Sequence, residues 1–209
     1  MKQTTANVID EYGPFTGVDA VHGVSYDGQK IWFASGDKLH TIDPASGEQA
    51  ASIDVTANAG TAYDGQHLYQ IADDHIQKID PNSGEVLSSI PAPESGSSGL
   101  AWAEGSLWVG QYQNRKIHQI DPQTGALIST IESNRFVTGV TWLDGNLWHG
   151  TWEGDESELR RVNSQTGEVL ESLKMPPTIG VSGLESNGKD RFYCGGGNCG
   201  KVRVVLYAE

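Results

Sequence analysis

Apolar and polar residues alternate along this chain in short runs, and no stretch sustains the 3.6-residue period of an amphipathic helix. Leu-Trp-Val-Gly-Gln-Tyr at 107–112, Lys-Ile-His-Gln-Ile at 116–120 and Ala-Leu-Ile-Ser-Thr-Ile at 126–131 are typical. Each has strand length, is rich in β-branched and aromatic residues, and is bounded by Gly, Asp, Asn or Pro. The pattern recurs. Copies open at Gly23, Gly60, Gly99, Gly139 and Gly183, spaced by 37, 39, 40 and 44 residues, and the last one stops early.

Each copy reads as four strands. The first is G-x-x-[YW], followed by a turn rich in Asp, Asn and Gly, a second strand, a variable loop and a third strand. The turn D-P-x-[ST]-G leads into the fourth. Asp43, Asp80 and Asp121, with Asn163 in the fourth copy, resemble acidic or polar site residues. Their place in a tight turn assigns them instead to local backbone hydrogen bonds. Trp32, Tyr69, Trp108, Trp148 and Tyr193 recur once per copy, as core packing requires.

Four-stranded units at a period near 40 predict a β-propeller. The fifth copy lacks its fourth strand, and residues 5–13 (TANVIDEYG) resemble the fourth-strand sequence at 50–60 (AASIDVTANAG). The expectation is therefore an all-β, five-bladed propeller with four antiparallel strands per blade, closed by the N-terminal strand. The expected blades are 14–55, 56–93, 94–133, 134–176, and 177–209 with 5–13. A blade built from both chain ends predicts one domain.

Composition narrows the partners. A net charge of −13 disfavours nucleic acid and anionic membrane surfaces. No apolar run is long enough for a membrane span, and the first residues carry no secretory core, so a cytoplasmic protein is expected. Cys194 and Cys199 are too few for a disulfide framework or a zinc site, although they could close one disulfide. Histidine spacing suggests no metal and no cofactor is implied. Gly195–Lys201 is glycine-rich but lies in a hairpin, not ahead of a helix, so it is no phosphate loop. A monomer is expected.

The variable loops share one rim with the connections between copies, which makes that rim the candidate functional face. Residues preceding each first-strand glycine, His22, Ala59, Ser98, Thr138 and Ser182, should ring its mouth. Gln111, Tyr112, Thr151 and Trp152 join them from the second strands, with Arg115 in a loop. His22 has a side-chain pKa suited to proton transfer near neutrality. His149 pairs with Val140 if the hairpin turns at Asp144-Gly145. Strict alternation then sets it on one face with Thr138 and Thr151, one layer below the mouth. The equivalent fifth-copy residue is Cys194; neighbouring blades separate the two too far for a Cys-His pair. The third-strand positions His40, Gln77, His118, Arg160 and Arg203 read as a solvated face.

The repeat, with its L-[WY]-V and I-D-P-x-T-G segments, resembles the glutamine-cyclotransferase-like and streptogramin-lyase-like propellers. Residues 136–152 (FVTGVTWLDGNLWHGTW) are similar to the cyclotransferase blade F-G-E-G-L-T-Y-W-x-G-x-L-I-x-L-T-W. That resemblance implies an aromatic-lined pocket to which Phe136, Gly139, Thr151 and Trp152 match. The catalytic glutamate of the motif falls on Thr138, and the glutamine of the preceding blade falls on Ser98. Glutaminyl cyclisation is therefore not expected.

Two functions follow. One is an enzyme acting on a small polar molecule at the mouth by lyase- or cyclotransferase-like proton transfer. His22 and His149 would move the proton, and Ser98, Gln111, Tyr112, Arg115, Thr138, Thr151, Trp152, Ser182 and Cys194 would shape the pocket. The other is a non-catalytic propeller that binds a ligand or protein partner on the same rim.

Overall fold

The computed structural model describes residues 1–93 and 96–207. Glu94 and Ser95, at the expected start of blade three, and Ala208 and Glu209, at the end of blade five, lie outside the described residues. All regular structure among the described residues is β-strand. The chain opens with β1 (Lys2–Thr5) and β2 (Asn7–Tyr12). Blade one follows as β3 (Val24–Tyr26), β4 (Ile31–Ile42) and β5 (Gln49–Ala57). Its second and third strands run together in β4 across Gly36, whose φ is +63°.

Blade two is β6 (Thr61–Tyr63), β7 (Leu68–Ala72), β8 (His75–Ile79) and β9 (Val86–Pro91). Blade three is β10 (Ser97–Ala103), β11 (Ser106–Gln111), β12 (Lys116–Ile120) and β13 (Leu127–Glu132). Blade four is β14 (Val140–Leu143), β15 (Asn146–Glu153), β16 (Glu156–Val162) and β17 (Val169–Lys174). Blade five is β18 (Leu184–Ser186), β19 (Arg191–Gly195) and β20 (Val202–Leu206), with β2 as its outer strand.

The closure is the one the sequence predicts. β2 pairs antiparallel with β20, from Asn7↔Leu206 to Tyr12↔Val202, and removes an open edge. β1 then continues onto the neighbouring blade and runs parallel to β17, from Lys2↔Glu171 to Thr5↔Lys174. Blade four thus carries a fifth strand that the repeat alone does not foretell.

Packing holds the ring together at its seams. Five apolar clusters each straddle two adjacent blades. The once-per-blade aromatics, 1–5% exposed, sit in them as expected. At the seam of blades four and five, the Trp148 ring lies 4.9 Å from Phe192 and 5.1 Å from Tyr207. At the circumference, the glycine of each D-P-x-[ST]-G or equivalent turn rests on the outer strand of the preceding blade. A Cβ on Gly84 would meet Ile53, and one on Gly125 or Gly167 would meet Pro91 O or Glu132 O. Gly47 lies against the Tyr12 ring, whose hydroxyl donates to Pro44 O at 2.8 Å. In those turns Asp43, Asp80, Asp121 and Asn163 accept backbone N–H groups two or three residues on, the role their turn motif demands.

The five first-strand glycines form a second, inner ring. A Cβ on Gly23 would stand 2.5 Å from Ala59 O, on Gly60 2.4 Å from Leu100 N, and on Gly99 2.7 Å from Val140 N. On Gly139 it would stand 2.3 Å from Leu184 N, and on Gly183 2.8 Å from His22 O. Each innermost strand touches the backbone of the next, and the fifth touches the first. Only a residue without a side chain allows that approach.

The third-strand face is solvated only in part, since Gln77 and His118 keep some exposure and the other three positions do not. His40, Arg160 and Arg203 are buried, because this face turns into the cleft between blades, where His40 stacks on Phe33 at 4.8 Å. Arg160 is neutralised there by Glu158 at 2.7 Å, and Arg203 by Glu11 at 2.7 Å.

Candidate functional site at the propeller mouth

A β-bulge at the start of the first strand builds the mouth. In blade four Thr138 N donates to Gly150 O (3.0 Å) and Gly150 N donates to Gly139 O (2.9 Å), so two residues oppose one. The same pair of bonds sets Ser182 and Gly183 against Gly195, and His22 and Gly23 against Ala34. In blade three the register shifts between Ser97 and Gly99. The bulge turns the residue before each glycine inward, out of the alternation of the strand that follows.

His22, Ala59, Ser98, Thr138 and Ser182 consequently line one cavity of about 340 Å³, together with Asn58, Ser97, Tyr112 and Trp152. The described lining residues include no carboxylate, lysine or arginine. Trp152 forms a fixed wall. Cβ atoms on Gly180 or Gly197 would stand 2.4 and 2.7 Å from its ring, and its indole N–H donates to Gly154 O at 3.0 Å. Tyr112 braces this wall by donating its hydroxyl to Trp152 O at 3.1 Å.

Most of the polar groups here already hold protein atoms. Ser98 Oγ donates to Val137 O of the next blade at 2.7 Å. Ser182 Oγ donates to Val21 O at 2.5 Å and accepts from Gly197 N at 2.9 Å. Both serines therefore clasp adjacent blades. Asn58 is engaged with Asp73 and Ser97 with Pro93 O. Thr138 Oγ1 has no hydrogen-bond partner among the described residues, but it is buried against Gly150, 2.7 Å from where a Cβ would be, and does not open to the cavity. The His22 ring makes no hydrogen bond among the described residues either, and burial holds its pKa below the usual histidine value. It is therefore a neutral imidazole near pH 7, able to accept a proton or a hydrogen bond.

Five residues that the sequence directs to the mouth lie elsewhere. Val140 does pair with His149, but the bulge breaks the alternation between Val140 and Thr138, so His149 does not lie beneath the threonine. It is 1% exposed, its Nδ1 lies 3.1 Å from Gly150 O, and burial lowers its pKa to about 4. Thr151 is fully buried and accepts from Glu158 N at 3.2 Å. Cys194 packs in the cluster with Trp148 and Phe192, and burial pushes its thiol up to about 12, the opposite of an activated nucleophile. Both cysteines are free.

Gln111 faces the separate cleft between blades two and three, 3.0 Å from His118 Nε2. Arg115 is exposed, lies over the Phe136 ring at 4.6 Å, and pairs with Glu153 at 3.8 Å.

One residue went unremarked in the repeat. Ser25, Ala62, Ala101, Thr141 and Glu185 are equivalent, two positions past each first-strand glycine, and only blade five places an acid there. Glu185 is not among the residues that line the cavity. It accepts from Thr141 Oγ1 of the neighbouring blade and from Ser186 N at 2.8 Å, and burial pushes its pKa up to about 7.

Comparison with known proteins agrees with this architecture. The family model PQQ_2, described as outer membrane protein assembly factor BamB, matches residues 72–205. No curated protein matches the sequence. Among solved structures, glutaminyl cyclase from Myxococcus xanthus is similar, with a TM-score of 0.81 and 14% identity over 100% of this chain and 99% of that one. The WD40 repeats of RRP9 are similar with a TM-score of 0.60 and 10% identity, over 98% and 99% of the two chains. At such identities the shared property is the fold, which hosts catalytic and non-catalytic proteins alike. The family model covers well over half of the sequence, and the chain belongs to the PQQ_2 family of β-propellers, that of the outer membrane protein assembly factor BamB.

Proposed function

We propose that the mouth cavity binds a small, uncharged polar molecule, with one flat face against Trp152 and a polar group on His22. The observation that carries this reading is the unspent His22 imidazole. It lines a cavity whose other accessible side-chain polar atoms are committed to the protein. A concave site with an aromatic wall and few converging polar groups suits such a ligand. The absence of charge from the described lining favours a neutral one.

A second reading adds chemistry. His22 is neutral and faces the cavity, so it could serve as the general base of a lyase- or cyclotransferase-like proton transfer. His149 and Cys194 take no part in it, and glutaminyl cyclisation is excluded from it because Thr138 stands where that motif carries its glutamate.

The test is a titration of the whole chain with neutral probes, simple primary amides and methyl pyranosides, read by NMR at the His22 imidazole and the Trp152 indole. Saturable shifts at both groups, lost in Trp152→Ala, are expected. Probes that perturb neither resonance overturn the binding reading. A probe that binds unchanged and is never converted, in wild type or His22→Ala, removes the catalytic one.

A further inference from the structure

The outer edge of blade three is open and apolar, as is that of blade two, where Val86 and Leu87 of β9 are 42% and 47% exposed. β13 is the last strand of its sheet and has no partner on its outer side among the described residues. Leu127 and Ile128 stand side by side in solvent, 62% and 55% exposed. No charge or proline interrupts Leu127–Ile131. Unprotected edges of this kind are templates for strand addition.

The molecule contains its own example of that addition. On blade four the corresponding edge, β17, is occupied by residues 2–5 as a parallel strand, with Lys2 Nζ 3.2 Å from Glu171 Oε1. The backbone of a blade edge in this propeller therefore accepts an extended segment. What distinguishes blade three is the cleft of about 520 Å³ that runs from its edge toward blade two.

Pro93, Ile120 and Leu127 make the apolar part of that cleft, and Lys116, His118 and Thr130 the polar part. Its described lining holds no Asp or Glu, on a chain of net charge −13. The Lys116 ammonium forms no ion pair among the described residues, although Glu132 stands directly opposite it on β13.

We infer that β13 and the cleft behind it receive an extended, acidic segment of a partner protein. The segment adds to β13 as a parallel strand, lays an aliphatic side chain on Leu127 and Ile120, and sets a carboxylate at Lys116. This surface is distinct from the mouth cavity and independent of what binds there.

The test titrates isotope-labelled full-length chain with the blocked peptide Thr-Val-Glu-Val-Thr, and in parallel with Thr-Val-Lys-Val-Thr. The acidic peptide should shift the amides of residues 127–132 and Lys116 saturably. The lysine peptide should bind about fivefold more weakly or worse, as expected for loss of one charge pair and its replacement by repulsion. Lys116→Glu should reverse that preference without altering the amide dispersion of the fold. Equal binding of both peptides, shifts confined to β17 or the mouth, or no shift with either peptide overturns the proposal.

Discussion

Ser182 Oγ donates to Val21 O at 2.5 Å, joining the fifth blade to the first across the seam where the ring closes. The same oxygen accepts from Gly197 N. Ser182→Ala leaves a carbonyl and an amide without this partner. It should lower the unfolding free energy by about 1–3 kcal/mol, read from urea denaturation. Binding of a neutral probe at the mouth should stay within a factor of about 3, because the hydroxyl is already spent on the protein. A Ser182→Ala chain of full stability that has lost probe binding would reverse the assignment of this residue from clasp to ligand contact.

The inner glycines are more demanding than the turn glycines. Gly139→Ala drives a methyl to 2.3 Å from Leu184 N, where backbone lies on both sides. Gly145→Ala meets nothing within 4 Å and suffers only from its φ of +72°. The turn substitution should cost about 1 kcal/mol. The inner one should exceed about 4 kcal/mol or prevent folding. Circular dichroism and urea midpoints of the two variants decide the order; equal losses would mean that the seam can open at little cost.

Two buried groups pull stability in opposite directions across nearly the same pH window, so in the wild type their effects largely offset each other. His149 has a native pKa of about 4 against an ordinary 6.5, so the unfolded chain holds the extra proton between those values. Stability therefore drops as pH falls through that window. Glu185 has a native pKa of about 7 against an ordinary 4.5, so here the folded chain holds the extra proton. Stability drops as pH rises from 4.5 through 7. His149→Phe, which installs the residue found at the equivalent Phe33, should leave the Glu185 effect alone, so that stability falls as pH rises from 4.5 to about 7. Glu185→Gln should leave the His149 effect alone, so that stability falls as pH drops from 6.5 to about 4. Unfolding midpoints whose pH slopes match the wild type in both variants would assign the pH dependence to other groups.

The two N-terminal strands should be separable. Removing residues 1–5 strips β1 from β17 and leaves β2 in place, so the blade ring stays closed. That truncation should fold with lowered stability. Removing residues 1–12 bares β20 and takes away Tyr12, which is 7% exposed and packed against Gly47. This longer truncation should aggregate or unfold, as measured by size-exclusion chromatography and melting temperature. Similar melting temperatures for the two would show that β2 closes nothing essential.

Most of the fold is legible in the repeat. Glycine spacing, the D-P-x-[ST]-G turns and the match between residues 5–13 and 50–60 are local signals, and they fix blade number, turn roles and closure. The Val140↔His149 register follows from the turn at Asp144-Gly145 in the same way. The bulge was not legible, because period-2 alternation carries no mark of an extra residue. It placed Thr138 at the mouth and left His149 in the core. Depth was also illegible at the third strands. A polar row of His40, Arg160 and Arg203 reads as solvent-facing until its partners are found, Gln49 and Glu11 in other strands and Glu158 two residues before Arg160. β1 had no signal either, since Lys2–Thr5 lacks apolar residues and is held by backbone pairing and the Lys2–Glu171 ion pair.

The ring of Gly23, Gly60, Gly99, Gly139 and Gly183 has no end. Each of these backbones abuts the next, and the fifth abuts the first. A displacement at one seam therefore has no terminal repeat at which to dissipate, as it would in an open solenoid, and must be shared among all five.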